Sequence, residues 1–340
     1  MYSLALMSLF RKHSTAVPAC VVALVLAVGG GSGHAVYARQ RAAADATALE
    51  TIQIRPNVYV IFGAGSNITA HVGEHGVILV DAGSAAATDR VLQAVRKISD
   101  RPIRLIIDTS ADADHVGGNG ALAKAGLAIN PDSFSDEEFA GVLSHENVLA
   151  RMNEPVGNEA RYPTEALPTE TYTSRVRSMY VNGDAVQVMR MTGAHSDGDS
   201  VVLFRRADVI ATGDIVDLRR FPVIDPKTGG SIAGELEALN RLLELTVPSM
   251  PFVLNDNRTL LVPGHGYVSD YAELTEYRDM VTVIRDNIQE LAKKGMTLEQ
   301  VKAANPTAGY RNRYGTDRGA WTTDMFVEAI YTELKRGTGK

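Results

Sequence analysis

Cysteine is nearly absent from this chain of 340 residues, which has only Cys20, in an apolar run near the N-terminus. A single cysteine excludes an internal disulfide, and it argues against a thiolate as nucleophile or metal ligand. A surplus of basic residues is also missing, because 34 Lys and Arg face 40 Asp and Glu and the formal net charge is −6. Nucleic acid needs clustered Lys and Arg, so we expect no nucleic-acid partner.

The sequence also lacks an apolar run of the length that a stable membrane span needs, about 20 residues. Instead, Arg11 and Lys12 precede a shorter uncharged apolar run, and Val36 and Ala38 fit the small-residue cleavage pattern. We predict a signal peptide over residues 1–38, or an uncleaved N-terminal anchor, and a periplasmic or secreted protein with no other membrane contact. Removal of residues 1–38 leaves a formal net charge of −8 and no cysteine, so any metal must be held by His, Asp or Glu.

The rest of the chain shows no boundary between two cores. Residues 39–50 are Ala-rich and polar and are predicted to form a linker. Residues 51–340 alternate between β-rich stretches, with a hairpin predicted at Gly76, and stretches that mix strands with amphipathic helices. This order predicts an α+β fold in which two sheets pack as a sandwich with helices outside.

Three predictions concern the middle of the chain. Residues 135–152 are predicted to be mostly helical, with Ser135 as the N-cap. Residues 127–130 are predicted to form a short strand. The Pro- and Thr-rich residues 153–178 are predicted to form a surface loop.

Four apolar strands each end in a polar cluster. The clusters are Ser110–His115, His195 in GAHSDGDS, Asp214 in ATGD and His265 in PGHG. A single such cluster is more typical of a turn or a cap. Because binding residues concentrate on loops where several strand ends converge, four clusters in series indicate one shared site.

The segments DHVGGN, AHSDGDS, TGD and PGHG, in this order, resemble the metallo-β-lactamase-fold hydrolases. The resemblance extends from about Ile52 to the C-terminal helix. It implies a four-layer αββα sandwich over residues 51–340, including the C-terminal helices. It also implies a metal-dependent hydrolase that attacks an ester, thioester or amide bond, lactams included, with a metal-bound hydroxide.

The resemblance also implies a ligand set. Asp114, His115 and His265 match the ligands of the family's second metal site, Asp214 matches its bridging carboxylate, and His195 matches a ligand of the first site. The family motif H-x-H-x-D-H departs at its start, because Ser110 and Asp112 replace the two leading histidines.

These replacements weaken the first site. Asp112 could supply an oxygen ligand, whereas the Ser110 hydroxyl is a poor neutral one. We expect one well-held Zn²⁺ and a second position that is weak or vacant, with Mn²⁺ or Fe²⁺ as alternatives. Asp112 and Asp114 are the candidate catalytic carboxylates, and Asp112 is the candidate general base. The alternative for Asp112 is a side chain that only hydrogen-bonds the loop.

Three functions remain open. The first is a hydrolase of a small-molecule substrate. The second is a non-catalytic binding protein on the same fold, which the replacements at Ser110 and Asp112 favour. The third is a one-iron enzyme that oxidises sulfur compounds, and the loss of the leading histidines counts against it.

Other polar residues are assigned supporting roles. Asp81 is expected to support the metal loop by hydrogen bonding, and Asp108 to cap it. His145 could face the cleft or cap a helix, and Arg219 and Arg220 could contact an anionic substrate or remain solvated. The remaining assignments are a brace after His195 (Asp197, Asp199), a sharp turn (Gly117, Gly118) and histidines outside the site (His71, His75).

Overall fold

The structure is a computed structural model that describes residues 49–129, 139–157, 161–250 and 258–337. The predicted signal peptide, most of the predicted linker and Ser135 lie outside these residues. Within the described ranges, no helix has both the length and the apolar character that crossing a membrane requires.

The first sheet has seven strands in chain order: β1 (Glu50–Arg55), β2 (Val58–Ala64), β3 (Ser66–Gly73), β4 (Gly76–Val80), β5 (Ile103–Ile107), β6 (Gly141–His145) and β7 (Glu170–Tyr172). Neighbours from β1 to β4 are antiparallel, and neighbours from β4 to β7 are parallel. The predicted hairpin is present, because Gly76 pairs with Gly73.

The second sheet has five strands: β8 (Val176–Val181), β9 (Asp184–Arg190), β10 (Ser200–Phe204), β11 (Val209–Asp217) and β12 (Leu260–His265). Their spatial order is β12-β11-β10-β9-β8. The β11–β12 pair is parallel, and the other pairs are antiparallel. Both β11 and β12 therefore point toward the same edge of the sandwich.

The described helices are α1 (Thr88–Ile98), α2 (Ala113–Val116), α3 (Asn119–Lys124), α4 (Glu146–Asn153), α5 (Ile232–Leu245), α6 (Tyr271–Lys293), α7 (Leu298–Ala303), α8 (Arg311–Tyr314) and α9 (Thr323–Gly337). Side chains from both sheets, such as Val80 and Phe204, share one buried cluster. Helices α1 and α3 pack on the outer face of the first sheet, and α5, α6 and α9 on that of the second. The result is the αββα sandwich that was predicted.

Three local predictions were wrong. Residues 141–145 of the predicted helix form β6, which pairs with β5, and the helix begins only at Glu146. A short apolar run does not separate strand from helix, and the position between two parallel strands decides it. Residues 127–129 form no strand, and the predicted loop over 153–178 contains β7 and the start of β8.

Candidate metal centre

Carboxylates and imidazoles from both sheets meet at one edge of the sandwich. They are Asp112, Asp114 and His115 after β5, His195 between β9 and β10, Asp214 in β11, and His265 at the end of β12. Gly213 has a φ of 53°, and a Cβ there would lie 2.5 Å from Thr109 Oγ1. A residue without a side chain is needed for β11 to approach the loop after β5.

The first cluster, the Asp114 group, consists of Asp114, His115 and His265, whose ligand atoms lie within 4.8 Å of one another. His115 Nδ1 lies 2.8 Å from Asp81 Oδ2, and its Nε2 lies 3.1 Å from Asp214 Oδ1. His265 Nε2 is 3.3 Å from both Asp114 Oδ2 and Asp214 Oδ1. The Nε2 atoms of both rings therefore point toward one position.

Asp81 fixes the orientation of His115. Its carboxylate accepts hydrogen bonds from Thr109 N at 2.8 Å and from Thr109 Oγ1, as well as from His115 Nδ1. The Asp81 backbone has a φ of 65°, a left-handed conformation that Asp adopts more readily than most residues. A carboxylate that holds the far nitrogen of a histidine is the usual support of a metal ligand, as expected for Asp81.

The second cluster, the Asp112 group, consists of Asp112, His195 and Asp214. His195 donates from Nδ1 to the Val223 carbonyl oxygen at 2.8 Å, and its Nε2 lies 3.1 Å from Asp112 Oδ2 and 4.0 Å from Asp214 Oδ2. Ser110 Oγ lies 3.3 Å from Asp214 Oδ2. The Asp112 side chain is 51% exposed, so this group is more open to solvent.

The charges of the site stabilise one another. Burial lowers the pKa of His115, but Asp214 and Asp81 outweigh it and raise this pKa well above its usual value. Burial also opposes the charge of His195, and the bond to Asp112 with the charge of Asp214 raises its pKa. For Asp214, burial is outweighed by His115 and the other histidines, which hold its pKa well below its usual value.

The donor atoms fit divalent metal ions. The Asp114 group offers two imidazole nitrogens and one carboxylate, a set that suits zinc. The Asp112 group offers one imidazole and two carboxylates, a harder set that suits Mn²⁺ or Fe²⁺ better. Asp214 turns Oδ1 toward the Asp114 group and Oδ2 toward the Asp112 group, which is the geometry of a bridging ligand.

The loop after His195 is braced as expected. Asp199 accepts hydrogen bonds from Ser196 N and Ser196 Oγ, both at 2.7 Å, and burial raises the pKa of Asp199 to about 6. Asp197 Oδ1 lies 2.5 Å from Arg151 Nη2. These bonds hold the backbone that carries His195.

The structure also shows the surroundings of Asp108, His145 and Gly118, which were assigned supporting roles. Asp108 is buried and accepts a 2.9 Å hydrogen bond from Asn119 Nδ2. His145 accepts from Asn147 N at 3.1 Å and caps α4, which selects the capping alternative. A Cβ on Gly118 would lie 2.4 Å from the Ala82 carbonyl oxygen, and the turn there depends on glycine.

Arg219 and Arg220 have different surroundings. Arg220 Nε lies 2.6 Å from Asp217 Oδ2, so this guanidinium is paired with a carboxylate. The Arg219 guanidinium contacts His265 Nδ1. Arg219 therefore touches the candidate ligand set itself, which neither sequence-based alternative anticipated.

Three contributors to the site were missed in the sequence. Tyr162 donates to the Ala111 carbonyl oxygen at 2.8 Å, and Asn67 donates to the Pro263 carbonyl oxygen at 2.8 Å. No sequence pattern connects such distant positions. Glu235 had a signal, because it lies three residues after Ile232 on the apolar face of α5, and it is fully buried.

Residues 61–130 match the family model described as the metallo-beta-lactamase superfamily. A search of curated proteins gave no match.

Solved structures share the fold of this chain. A metallo-beta-lactamase from Pontibacter korlensis aligns with a TM-score of 0.53 and 17% identity, over 69% of this chain and 99% of that chain. DIM-1 metallo-beta-lactamase aligns with a TM-score of 0.51 and 16% identity, over 69% and 97%. The sec-alkylsulfatase Pisa1 from Pseudomonas sp. aligns with a TM-score of 0.60 and 15% identity, over 84% of this chain but only 50% of its own. At these identities the likeness shows the fold alone.

Proposed function

We propose that this protein is an exported, metal-dependent hydrolase of a small molecule with an ester, thioester or amide bond, lactams included. The observation that carries the proposal is the pair of donor groups joined by the two oxygens of Asp214. Superfamily neighbours described as metallo-beta-lactamases and as an alkylsulfatase are consistent with hydrolysis. The N-terminal segment, in which Arg11 and Lys12 precede an apolar run, supports export.

The Asp114 group would hold Zn²⁺, with Asp214 as a further ligand. A bound divalent ion supplies an acidified water and a Lewis acid for the carbonyl that is cleaved. The Asp112 group would hold a second ion weakly, with Mn²⁺ and Fe²⁺ favoured over zinc by its two carboxylates. When the Asp112 group holds no ion, the exposed Asp112 carboxylate can accept a proton beside the site.

The first experiment measures metal. The full chain is purified without chelator, and its metal content is determined by elemental analysis, with the melting temperature recorded before and after zinc addition. We expect one zinc per chain and a higher melting temperature with zinc, because a ligand that binds only the folded state stabilises it. No bound metal together with no thermal shift would overturn the enzyme proposal and leave the non-catalytic binding protein.

The second experiment measures hydrolysis. Chromogenic ester, thioester and cephalosporin substrates are tested with the zinc-loaded protein, with the chelator-treated protein and with His115→Ala. We expect one class to be turned over by the loaded protein only. Equal rates in all three samples would mean that the activity does not come from this site.

A further inference from the structure

The three histidines of the site differ in what their outward-facing nitrogen meets. His115 Nδ1 faces the Asp81 carboxylate, and His195 Nδ1 faces the Val223 carbonyl oxygen, so both partners accept a hydrogen bond. His265 Nδ1 instead faces the guanidinium of Arg219. A guanidinium only donates hydrogen bonds, so at His265 the polarity of the contact is reversed.

The backbone places Arg219 there. His265 and Asp217 are register partners in the parallel β11–β12 pair, and Leu218 N donates to the His265 carbonyl oxygen at 3.1 Å. Arg219 N then donates to Asp217 Oδ1 at 2.9 Å. Arg220 Nε lies 2.6 Å from Asp217 Oδ2, whereas Arg219 Nε lies 4.0 Å from Asp217 Oδ1, so Asp217 pairs more closely with Arg220 than with Arg219.

A guanidinium beside Nδ1 favours one tautomer of the neutral His265 ring. A neutral imidazole has one nitrogen that accepts and one that donates, so a ring that accepts at Nδ1 carries its proton on Nε2. Nε2 is the atom that lies 3.3 Å from Asp114 Oδ2 and Asp214 Oδ1, where a proton can be donated to either carboxylate. Metal binding needs a lone pair on that same nitrogen.

We infer that Arg219 competes with the metal for His265 and thereby lowers the metal affinity of the Asp114 group. The guanidinium must leave Nδ1 before Nε2 can act as a ligand, and its positive charge also repels a divalent ion nearby. The Arg219 side chain is 60% exposed, so it has room to turn away. The inference rests on the proposed function in taking the Asp114 group as a metal site.

The test compares Arg219→Met with Arg220→Met. Zinc dissociation constants are measured for both variants and the wild-type chain by competition with a chromogenic chelator at one pH, after circular dichroism has shown equal folding. Both variants lose one positive charge beside the site, but only Arg219 contacts His265. We expect about 10- to 100-fold tighter zinc binding for Arg219→Met, the size of effect that partners of ligands usually have. The gain in zinc affinity for Arg220→Met should be less than a fifth of the gain for Arg219→Met.

A second measurement is independent of metal. Nitrogen-15 NMR of the chelator-treated chain, with His265 assigned through His265→Asn, reports which ring nitrogen carries the proton. We expect the Nε2–H tautomer in the wild-type chain and a shift toward Nδ1–H in Arg219→Met. An unchanged tautomer would contradict the inference.

The outcomes separate the inference from the proposed function. Equal zinc affinity in wild type and Arg219→Met, or an equal gain in Arg220→Met, overturns the inference and leaves the hydrolase proposal standing. Zinc binding by Arg219→Met alone supports the inference and overturns the zinc function of the wild-type chain. Zinc binding by no variant overturns both.

Discussion

Asp214 lies beside both donor groups, which differ in how firmly their other candidate ligands are held. In the Asp114 group, His115 is buried and is fixed by Asp81, which is itself held by Thr109. In the Asp112 group, the Asp112 carboxylate is half exposed, and its backbone N donates to Ser110 Oγ at 3.2 Å. A ligand that is ordered before binding loses less conformational freedom when the metal arrives.

The difference teaches that three donor atoms meet beside His195 although Ser110 and Asp112 offer no imidazole there. Asp112 reaches His195, and with Asp214 it gives this set a mainly carboxylate character. Ser110 does not fill the role of a ligand and hydrogen-bonds Asp214 instead. The four predictions below test this contrast, from the largest expected effect to the smallest.

The largest effect is expected from removing one histidine of each group in turn. His115→Ala should abolish stoichiometric zinc, with an affinity loss above the roughly 10- to 100-fold that a supporting residue contributes. His195→Ala should keep one zinc per chain. Isothermal titration with zinc measures both, and His75→Ala, a substitution in the β3–β4 turn outside both groups, is the control. If His115→Ala retained zinc and His195→Ala lost it, the Asp112 group would be the one that binds zinc more tightly.

The next effect concerns Ser110 and Asp112. Ser110→His combined with Asp112→His should add imidazole nitrogens beside His195 and raise the zinc content from one toward two per chain. Elemental analysis after dialysis measures the change. Each single substitution serves as a control, because one added imidazole completes only part of the set. A zinc content that stays at one would show that the loop no longer forms a zinc site there.

The strands and their polar ends could be predicted because each is encoded by neighbouring residues in the sequence. An apolar run followed by DADH, GAH, TGD or PGHG combines a strand and its polar end within about ten residues, and parallel strands deliver such ends to one edge. The four layers likewise follow from the alternation of strands and amphipathic helices. Of the strands that carry the core, β6 was mistaken for a helix, since Val142 and Leu143 are buried by neighbouring strands rather than by a pattern of their own.

The contacts between distant loops could not be predicted. Arg219 and His265 are 46 positions apart in sequence, and they meet only because β11 and β12 run parallel with Asp217 beside His265. Tyr162 and the Ala111 carbonyl oxygen are separated by 51 positions. Composition shows that such residues are present, but only the packing of the two sheets decides which of them meet.

A smaller effect is expected from the residues that support the ligands. Asp81→Asn should weaken zinc binding at the Asp114 group by about 10- to 100-fold, because His115 loses the charge that holds its Nδ1 proton. Asp199→Asn should spare zinc and weaken Mn²⁺ binding, because Asp199 braces the loop that carries His195. Competition titrations with each metal measure both variants. Equal losses of both metals in both variants would mean that the two groups act as one unit.

The smallest effect concerns a carboxyl group behind the second sheet. Glu235 is fully buried without a hydrogen-bond partner among the described residues, and burial, with the charge of Asp199, raises its pKa well above its usual value. The folded chain therefore keeps a proton that the unfolded chain releases above about pH 4.5, and this group makes the folded state less stable as the pH rises. Glu235→Gln has no proton to release.

The variant should match the wild-type chain at pH 4 and exceed it as the pH rises to 7, by at most about 1.4 kcal/mol per pH unit. Urea unfolding in the presence of chelator measures the free energy at each pH. Glu237→Gln, an exposed position on the same helix, should follow the wild-type profile. Parallel profiles for Glu235→Gln and wild type would mean that Glu235 ionises in the folded chain, so that a further negative charge lies near His195 and strengthens the Asp112 group as a cation site.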